Sequence, residues 1–268
     1  MSHGRRRPSA LAGTWYPSDA VELARTVDAL VADVTVSPSA EPAAIISPHA
    51  GYRYSGPTAA VAWAALCGRR PRRVVLMGPA HRVAFRGVSV GDFESYRCPL
   101  GDIPVDRAGV SEIHRHTSAT TILSAHQQEH CIEIMLPFLA RTCGPVTPIL
   151  PLLVGQATRD QVLDILERAV GPEDVLVIST DLSHFLPYAE ARQRDLMTLD
   201  LLGQWPPPST VGPENACGYR GLLAGLELAQ RREWSLEVLD YRNSGDTAGT
   251  RERVVGYAAA ALVPATVL

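Results

Sequence analysis

Three short segments place an imidazole or a carboxylate directly after an apolar, β-rich run. His49 follows residues 43–47 in Ser47-Pro48-His49-Ala50-Gly51-Tyr52, and His81 follows residues 73–77 in Gly78-Pro79-Ala80-His81-Arg82. Asp181 and His184 follow residues 175–179 in Ser179-Thr180-Asp181-Leu182-Ser183-His184-Phe185. A lone histidine is most often a satisfied loop or core residue. Recurrence at equivalent places after separate runs is not something a core requires. Metal binding is the natural chemistry for such a set. Neutral imidazole suits iron, zinc and copper, and two imidazoles with one anionic ligand leave positions open for water or substrate. Asp181 or Cys217 could supply that third ligand. Cys217 stands in Asn215-Ala216-Cys217-Gly218, ahead of a helical stretch whose N-terminus would favour the thiolate.

Other candidates are less distinctive. Glu129-His130-Cys131-Ile132-Glu133 predicts the opening of a helix with Ile132, Leu136 and Leu139 on one face. Its two glutamates read as ordinary first-turn acids favoured by the helix dipole, and His130 as packing or as outer support for the histidine cluster. The second histidine of His-Glu-x-x-His is missing, so the zinc-peptidase helix is excluded. Cys67, Cys98, Cys131 and Cys143 read as small buried hydrophobes. Trp15, Tyr52, Tyr54 and Tyr219 lie near the histidine motifs and could wall a pocket. No Gly-x-Gly-x-x-Gly follows a strand and no Gly-x-x-x-x-Gly-Lys-Ser/Thr occurs, so a nucleotide cofactor has no support. Gly-x-Ser-x-Gly and Cys-x-x-Cys are absent as well, against a hydrolase elbow or a structural zinc or iron–sulfur site.

The elements that must position these residues follow from the pattern around them. Residues 148–154 form a further apolar run, and helical periods cover 57–66, 159–169 and 221–230. Residues 236–241 and 254–262 read as strands, and Gly51-Tyr-Arg-Tyr-Ser-Gly56 as a turn. Continuous β-rich runs separated by helices predict an α/β fold with a central, mostly parallel or mixed sheet flanked by helices. In such sheets ligands bind beyond the carboxyl ends of the strands, where the histidines fall. The segment Trp205-Pro-Pro-Pro-Ser209 reads as a loop, no internal repeat is evident, and a single domain over residues 1–268 is expected. Residues 1–10, with Arg5-Arg6-Arg7, read as a mobile tail.

Composition sets the outer bounds. With 46% hydrophobic residues in 268, the chain can bury a substantial core. Its 25 basic and 28 acidic side chains leave a net charge of −3, which gives no field for nucleic acid or a membrane surface. No apolar run approaches the ~20 residues that cross a bilayer. The polar start lacks a secretory h-region, and five cysteines in an odd, unpaired set do not form a disulfide framework. A cytoplasmic protein is expected.

Taken together, the segments resemble the Memo family along nearly the whole chain. They begin with Ala12-Gly-Thr-Trp-Tyr-Pro17 and Ile46-Ser-Pro-His-Ala-Gly-Tyr-Arg-Tyr-Ser-Gly56, and continue with Gly78-Pro-Ala-His81, Glu129-His-Cys-Ile-Glu133 and Leu136-Pro-Phe-Leu139. Ser179-Thr-Asp-Leu-Ser-His184, Ala216-Cys-Gly218, Asn243-Ser-Gly-Asp246 and Val255-Gly-Tyr-Ala258 complete the order. The family is similar in fold to class III extradiol ring-cleaving dioxygenases, whose iron(II) is held by two histidines and a carboxylate. The resemblance therefore implies a dioxygenase-like fold, with metal held by His49, His81 and Cys217. It implies His184 as acid–base residue with Asp181 beside it, and Trp15 and Tyr54 flanking the pocket. It implies iron(II) first, with copper or zinc as alternatives. Family members accompany an AMMECR1-like protein and a radical SAM protein, which makes those two the expected protein partners. Cys131 and Thr180 stand where the family usually has Ser, and Gly221 where it has Pro; none is an expected ligand.

Three functions remain in play at this point. One is an O₂-dependent or other redox enzyme acting on a small aromatic molecule or a peptide, with His184 moving a proton and His130 in support. A second is a zinc-dependent hydrolase or lyase on the same ligands. The third is a metal-independent module that binds a peptide or protein through the same pocket. A homodimer is compatible with all three.

Overall fold

The computed structural model describes residues 5–204 and 210–265. The predicted loop Trp205–Ser209 lies outside them, as do residues 1–4 of the expected tail. At the centre of the single α/β domain is one large mixed sheet, with helices packed around it. Its strands run in the order Trp234–Asn243, Val254–Pro264, Ala44–Ser47, Val175–Ser179, Val74–Pro79, Ile149–Val154 and Val88–Val90. The short strand His184–Leu186 pairs off this path with Val254–Pro264.

The middle four strands are mutually parallel, with Ala44 opposite Leu176, Val74 opposite Val175 and Val74 opposite Ile149. Their sequences are continuous apolar runs, and every residue of all four is buried. That is the signature of parallel strands covered on both faces rather than one. Ala20–Ala32, Tyr52–Ala64 and Leu136–Thr142 pack together as one group of helices. Arg159–Ala169 and Tyr219–Arg231 form another, with the sheet between them. Among the described residues no helix is long and apolar enough to cross a membrane.

Local signals explain the helix limits. Thr158 and Gln161 exchange side-chain and backbone hydrogen bonds in a capping box that starts Arg159–Ala169, matching the predicted span. Asp19 accepts the Glu22 N–H at 2.9 Å and starts Ala20–Ala32, a helix absent from the sequence expectations.

Four expectations need correction. Residues 51–56 do not form a turn: from Tyr52 onward they are the first turns of Tyr52–Ala64, where Gly56 lets Leu30 of the neighbouring helix approach closely. The helix expected after Glu129 is two pieces, His130–Glu133 and Leu136–Thr142, the second carrying Pro137 in its first turn, where its missing N–H costs nothing. Residues 5–10 are not a loose tail. Arg6–Arg7 is a strand of a separate small sheet with Ser95–Tyr96 and Ile103–Pro104, and Arg7 is fully buried. Finally, Cys67 is exposed, because it lies in the irregular turn after its helix, whereas Cys98, Cys131 and Cys143 are buried as expected.

Candidate metal centre

Strand order brings the chemistry together. Because Ala44–Ser47, Val175–Ser179 and Val74–Pro79 are parallel neighbours, their carboxyl ends lie side by side. His49, Asp181 and His81 leave the sheet at one edge. His49 is 1% exposed. Its backbone N–H donates to Asp181 Oδ1 at 2.7 Å, which ties two strand ends together. Its ring Nδ1 lies 2.7 Å from Ser179 Oγ, and that hydroxyl donates to the Cys131 carbonyl at 2.8 Å. The hydroxyl proton is therefore spent, so Nδ1 carries the imidazole proton and Nε2 keeps its lone pair. Burial first, and then the neighbouring His130 and His81, push the pKa of His49 well below the ordinary histidine value. The ring is neutral and ready to ligate.

His81 is fixed by the same logic through a carboxylate. Glu129 Oε1 accepts from His81 Nδ1 at 3.0 Å, and Oε2 accepts the His81 backbone N–H at 2.6 Å. The Arg82 and His130 N–H groups complete the cradle at 3.2 and 3.0 Å. Burial pushes Glu129 toward its neutral form, but the close His130 ring and the bond from His81 prevail and hold it far below the usual carboxylate range. With Nδ1 donating to an anion, His81 also presents Nε2, the arrangement typical of a metal-bound histidine.

Among the described residues, two sets of ligand atoms lie within 4.8 Å of one another: His49, His81 and His130, and His81, Glu129 and Cys131. His130 is thus part of the inner cluster and not only outer support. Its ring stacks on His81 at 4.4 Å between centroids and packs at a tilt against Trp15 at 4.9 Å. His130 Nδ1 is buried and lies 3.0 Å from Glu129 Oε1 but out of line with it, so it has no hydrogen-bond partner.

Cys217 approaches from the far side. Its Sγ is 3.3 Å from His49 Nε2 and accepts the Asp181 N–H at 3.3 Å, but it forms no equally tight set with His49 and His81 together. The thiolate expected from the following helix is not favoured. Burial, and then the Asp181 charge, push the thiol up to about 12. The helix dipole is worth at most a kilocalorie or two per mole and does not offset burial of the anion. Without a cation beside it Cys217 is a neutral thiol, placed to donate S–H to His49 Nε2.

Of the remaining expected residues, Asp181 is buried beside His49, with Oδ2 4.0 Å from Nε2. His184 is exposed, and its Nδ1 donates to the Leu182 carbonyl at 2.8 Å, leaving Nε2 toward solvent. It is near enough for its charge to act on both His49 and Asp181. Phe185, directly after it, has φ +62°, an unusual conformation for a bulky residue. Trp15 and Tyr54 line a hollow beside the cluster. Tyr52 does not: it is core, packed on Tyr16 and Phe138 with its hydroxyl on the Ile134 carbonyl. Tyr219 lines a different hollow, shared with Cys217.

Two support residues were not anticipated. Glu129 and Glu133 read as ordinary first-turn acids, yet both are buried and hold other groups in place. Glu133 pairs with the Arg7 guanidinium and accepts from Ser9 Oγ at 2.7 Å, Leu11 N–H at 2.9 Å and Tyr16 Oη at 2.7 Å. Arg7 also donates to the Glu129 carbonyl at 2.7 Å. The available signal was the density of charge in Glu129–Glu133 directly before the apolar Leu136–Leu139 stretch.

The comparisons agree with this architecture. A family model described as "Memo-like protein" matches residues 7–261. A "MEMO1 family protein" of Aeropyrum pernix is 34% identical over 94% of this chain and 98% of its own, and one of Aquifex aeolicus is 33% identical over 94% and 97%. Among solved structures, an uncharacterised protein, JW3007, of Escherichia coli K12 matches with a TM-score of 0.54 over 81% of this chain and 98% of its own. At 14% identity that likeness concerns the fold alone. The chain belongs to the Memo family.

Proposed function

We propose that the chain is a metal-dependent oxidoreductase that uses O₂ on a small aromatic or peptide substrate, with iron(II) at the imidazole cluster. The observation that carries this reading is the pair of committed tautomers. His49 and His81 each spend Nδ1–H on a neighbour, Ser179 and Glu129, and each presents an Nε2 lone pair, that of His49 facing the Cys217 thiol. Core histidines have no need of that arrangement, whereas metal ligands do. The unpartnered Nδ1 of buried His130 adds an unused donor or acceptor at the same place.

His49 and His81 would hold the ion, with Cys217 or His130 as third ligand, and bound iron(II) would supply adjacent open positions for substrate and O₂. The residues themselves do the rest. Glu129 keeps His81 in one tautomer and adds negative charge behind it. Asp181 holds the His49 backbone and the Cys217 loop in register. His184, with Nδ1–H fixed on Leu182, would take a proton from a substrate hydroxyl at Nε2. Trp15 shields the cluster on one side by covering His130.

The three-imidazole grouping favours one second reading, because three histidines and a water also suit a catalytic zinc. Oxygen separates the two. Substrate turnover that stops without air supports the oxidoreductase, and turnover that proceeds equally well without air supports a zinc hydrolase. Replacing His184 by Ala tests its role: O₂-dependent turnover should fall ~10²–10⁴-fold with metal retained, and unchanged turnover would contradict the role.

A further inference from the structure

A hollow of about 660 Å³ opens beside the imidazole cluster. Three of its walls lead directly to residues of the centre. Trp15 packs at a tilt against His130, Ala50 and Gly51 follow His49, and Phe185 follows His184. Two guanidiniums complete the lining, Arg53 and Arg253, and no Asp or Glu takes part in it. Arg53 lies over the Tyr54 ring at 5.9 Å and Arg253 over the Phe185 ring at 5.1 Å.

Among the described residues, neither arginine makes an ion pair, although Arg7, Arg72 and Arg73 each engage buried carboxylates. Other described arginines of the chain also lack an ion pair; what sets Arg53 and Arg253 apart is that both line one hollow with no acidic side chain in its wall, in a chain whose net charge is −3. Stacking on an aromatic face orients a guanidinium without using its N–H donors, which remain free for an anion.

We propose that this hollow is the substrate subsite for a carboxylate carried on a flat apolar body, with Arg53 and Arg253 gripping the carboxylate and Trp15, Tyr54 and Phe185 bounding the body. The carboxylate can belong to a free aromatic acid or to the end of a peptide; the recognition chemistry is the same. Planar guanidinium forks match a planar two-oxygen anion. A phosphate ester would be expected to recruit free backbone N–H groups at the adjoining helix start as well. Here the Tyr52 amide is already bonded to the Trp15 carbonyl, and those of Tyr54 and Ser55 to the Gly51 carbonyl, which leaves only the Arg53 amide of this helix start free, too few for a phosphate cradle. This assignment names the substrate class for the metal-centred reaction proposed above and rests on that reading for its catalytic meaning.

The test is equilibrium binding of benzoate by titration calorimetry to the full chain, with benzamide as the uncharged isostere and hippurate and phenyl phosphate as further probes. Benzoate should bind at least ten-fold more tightly than benzamide. Arg53→Gln and Arg253→Gln should each weaken benzoate by about ten-fold and leave benzamide unchanged. Hippurate binding more tightly than benzoate identifies a peptide carboxyl end, and the reverse order a free aromatic acid. Benzoate binding no better than benzamide, an Arg53→Gln/Arg253→Gln protein that binds benzoate like wild type, or tighter binding of phenyl phosphate would each overturn the proposal. Metal content on the same samples separates the two readings. The arginine variants should keep wild-type metal, and a His49→Ala protein should lose metal while still binding benzoate.

Discussion

Glu129 shows what one residue contributes at this site. It accepts from His81 Nδ1 and from three backbone N–H groups, so its loss would free the His81 ring to adopt either tautomer. Glu129→Gln keeps the size but can donate as well as accept, so it no longer enforces Nε2 as the free atom. We predict a metal affinity 10–100-fold below wild type, read by competition with a chelator, with the fold intact by circular dichroism. Affinity equal to wild type would mean that Glu129 is merely a buried anion. At this scale the sequence was partly legible. His49, His81, Asp181 and His184 were evident because each directly follows an apolar run, a local feature. Glu129 was not, since its partner His81 is 48 residues away and only the fold brings them together. Cys217 is legible too, but the burial that raises its pKa in the absence of a cation comes from tertiary packing and leaves no local signal.

Between elements, the decisive device is the clamp that joins the N-terminal segment to the short helix His130–Glu133. Arg7 and Glu133 are both fully buried, and a charge left alone there is costly. Glu133→Ala is predicted to destabilise the fold by about 3–5 kcal/mol in denaturant unfolding. It should also loosen metal, since Arg7 holds the Glu129 carbonyl. The pH dependence has a definite sign. Burial raises the pKa of Glu133, but the Arg7 charge outweighs it and holds the group below its ordinary value. Its contribution is therefore fully present above the unfolded pKa of ~4.3 and is lost as pH falls through the folded value. Wild type should lose stability below pH ~4.3 more steeply than Glu133→Gln does; parallel acid limbs would contradict the pair's role. Gly78 belongs to this scale as well. A Cβ there would lie 2.5 Å from Cys131 Sγ, so the close approach of helix and strand end requires glycine. Gly78→Ala should cost about 1–3 kcal/mol by overpacking, measured as a shift in unfolding midpoint. The order of residues 5–10 has no local signal: three consecutive arginines resemble a solvated tail, and nothing nearby announces a buried carboxylate 126 residues away.

For the whole molecule, function follows from strand order. Chain order gives no hint that Val175–Ser179 lies between Ala44–Ser47 and Val74–Pro79, yet that insertion sets Asp181 and Ser179 against His49. The α/β class was legible from continuous apolar runs, because parallel strands covered on both faces cannot alternate in polarity. The order of the strands was not, nor was the small sheet of two-residue strands that anchors Arg7, since such short pairings carry no periodicity. If this strand edge is a metal centre, the protein should carry an ion that depends on its ligands. Elemental analysis of protein purified without air or added metal, beside a His49→Ala, Cys217→Ala control, tests it most directly. Stoichiometric iron is expected in wild type and none in the control, both proteins being folded. Wild-type protein that is folded, empty and unable to take up offered iron, copper or zinc would contradict it.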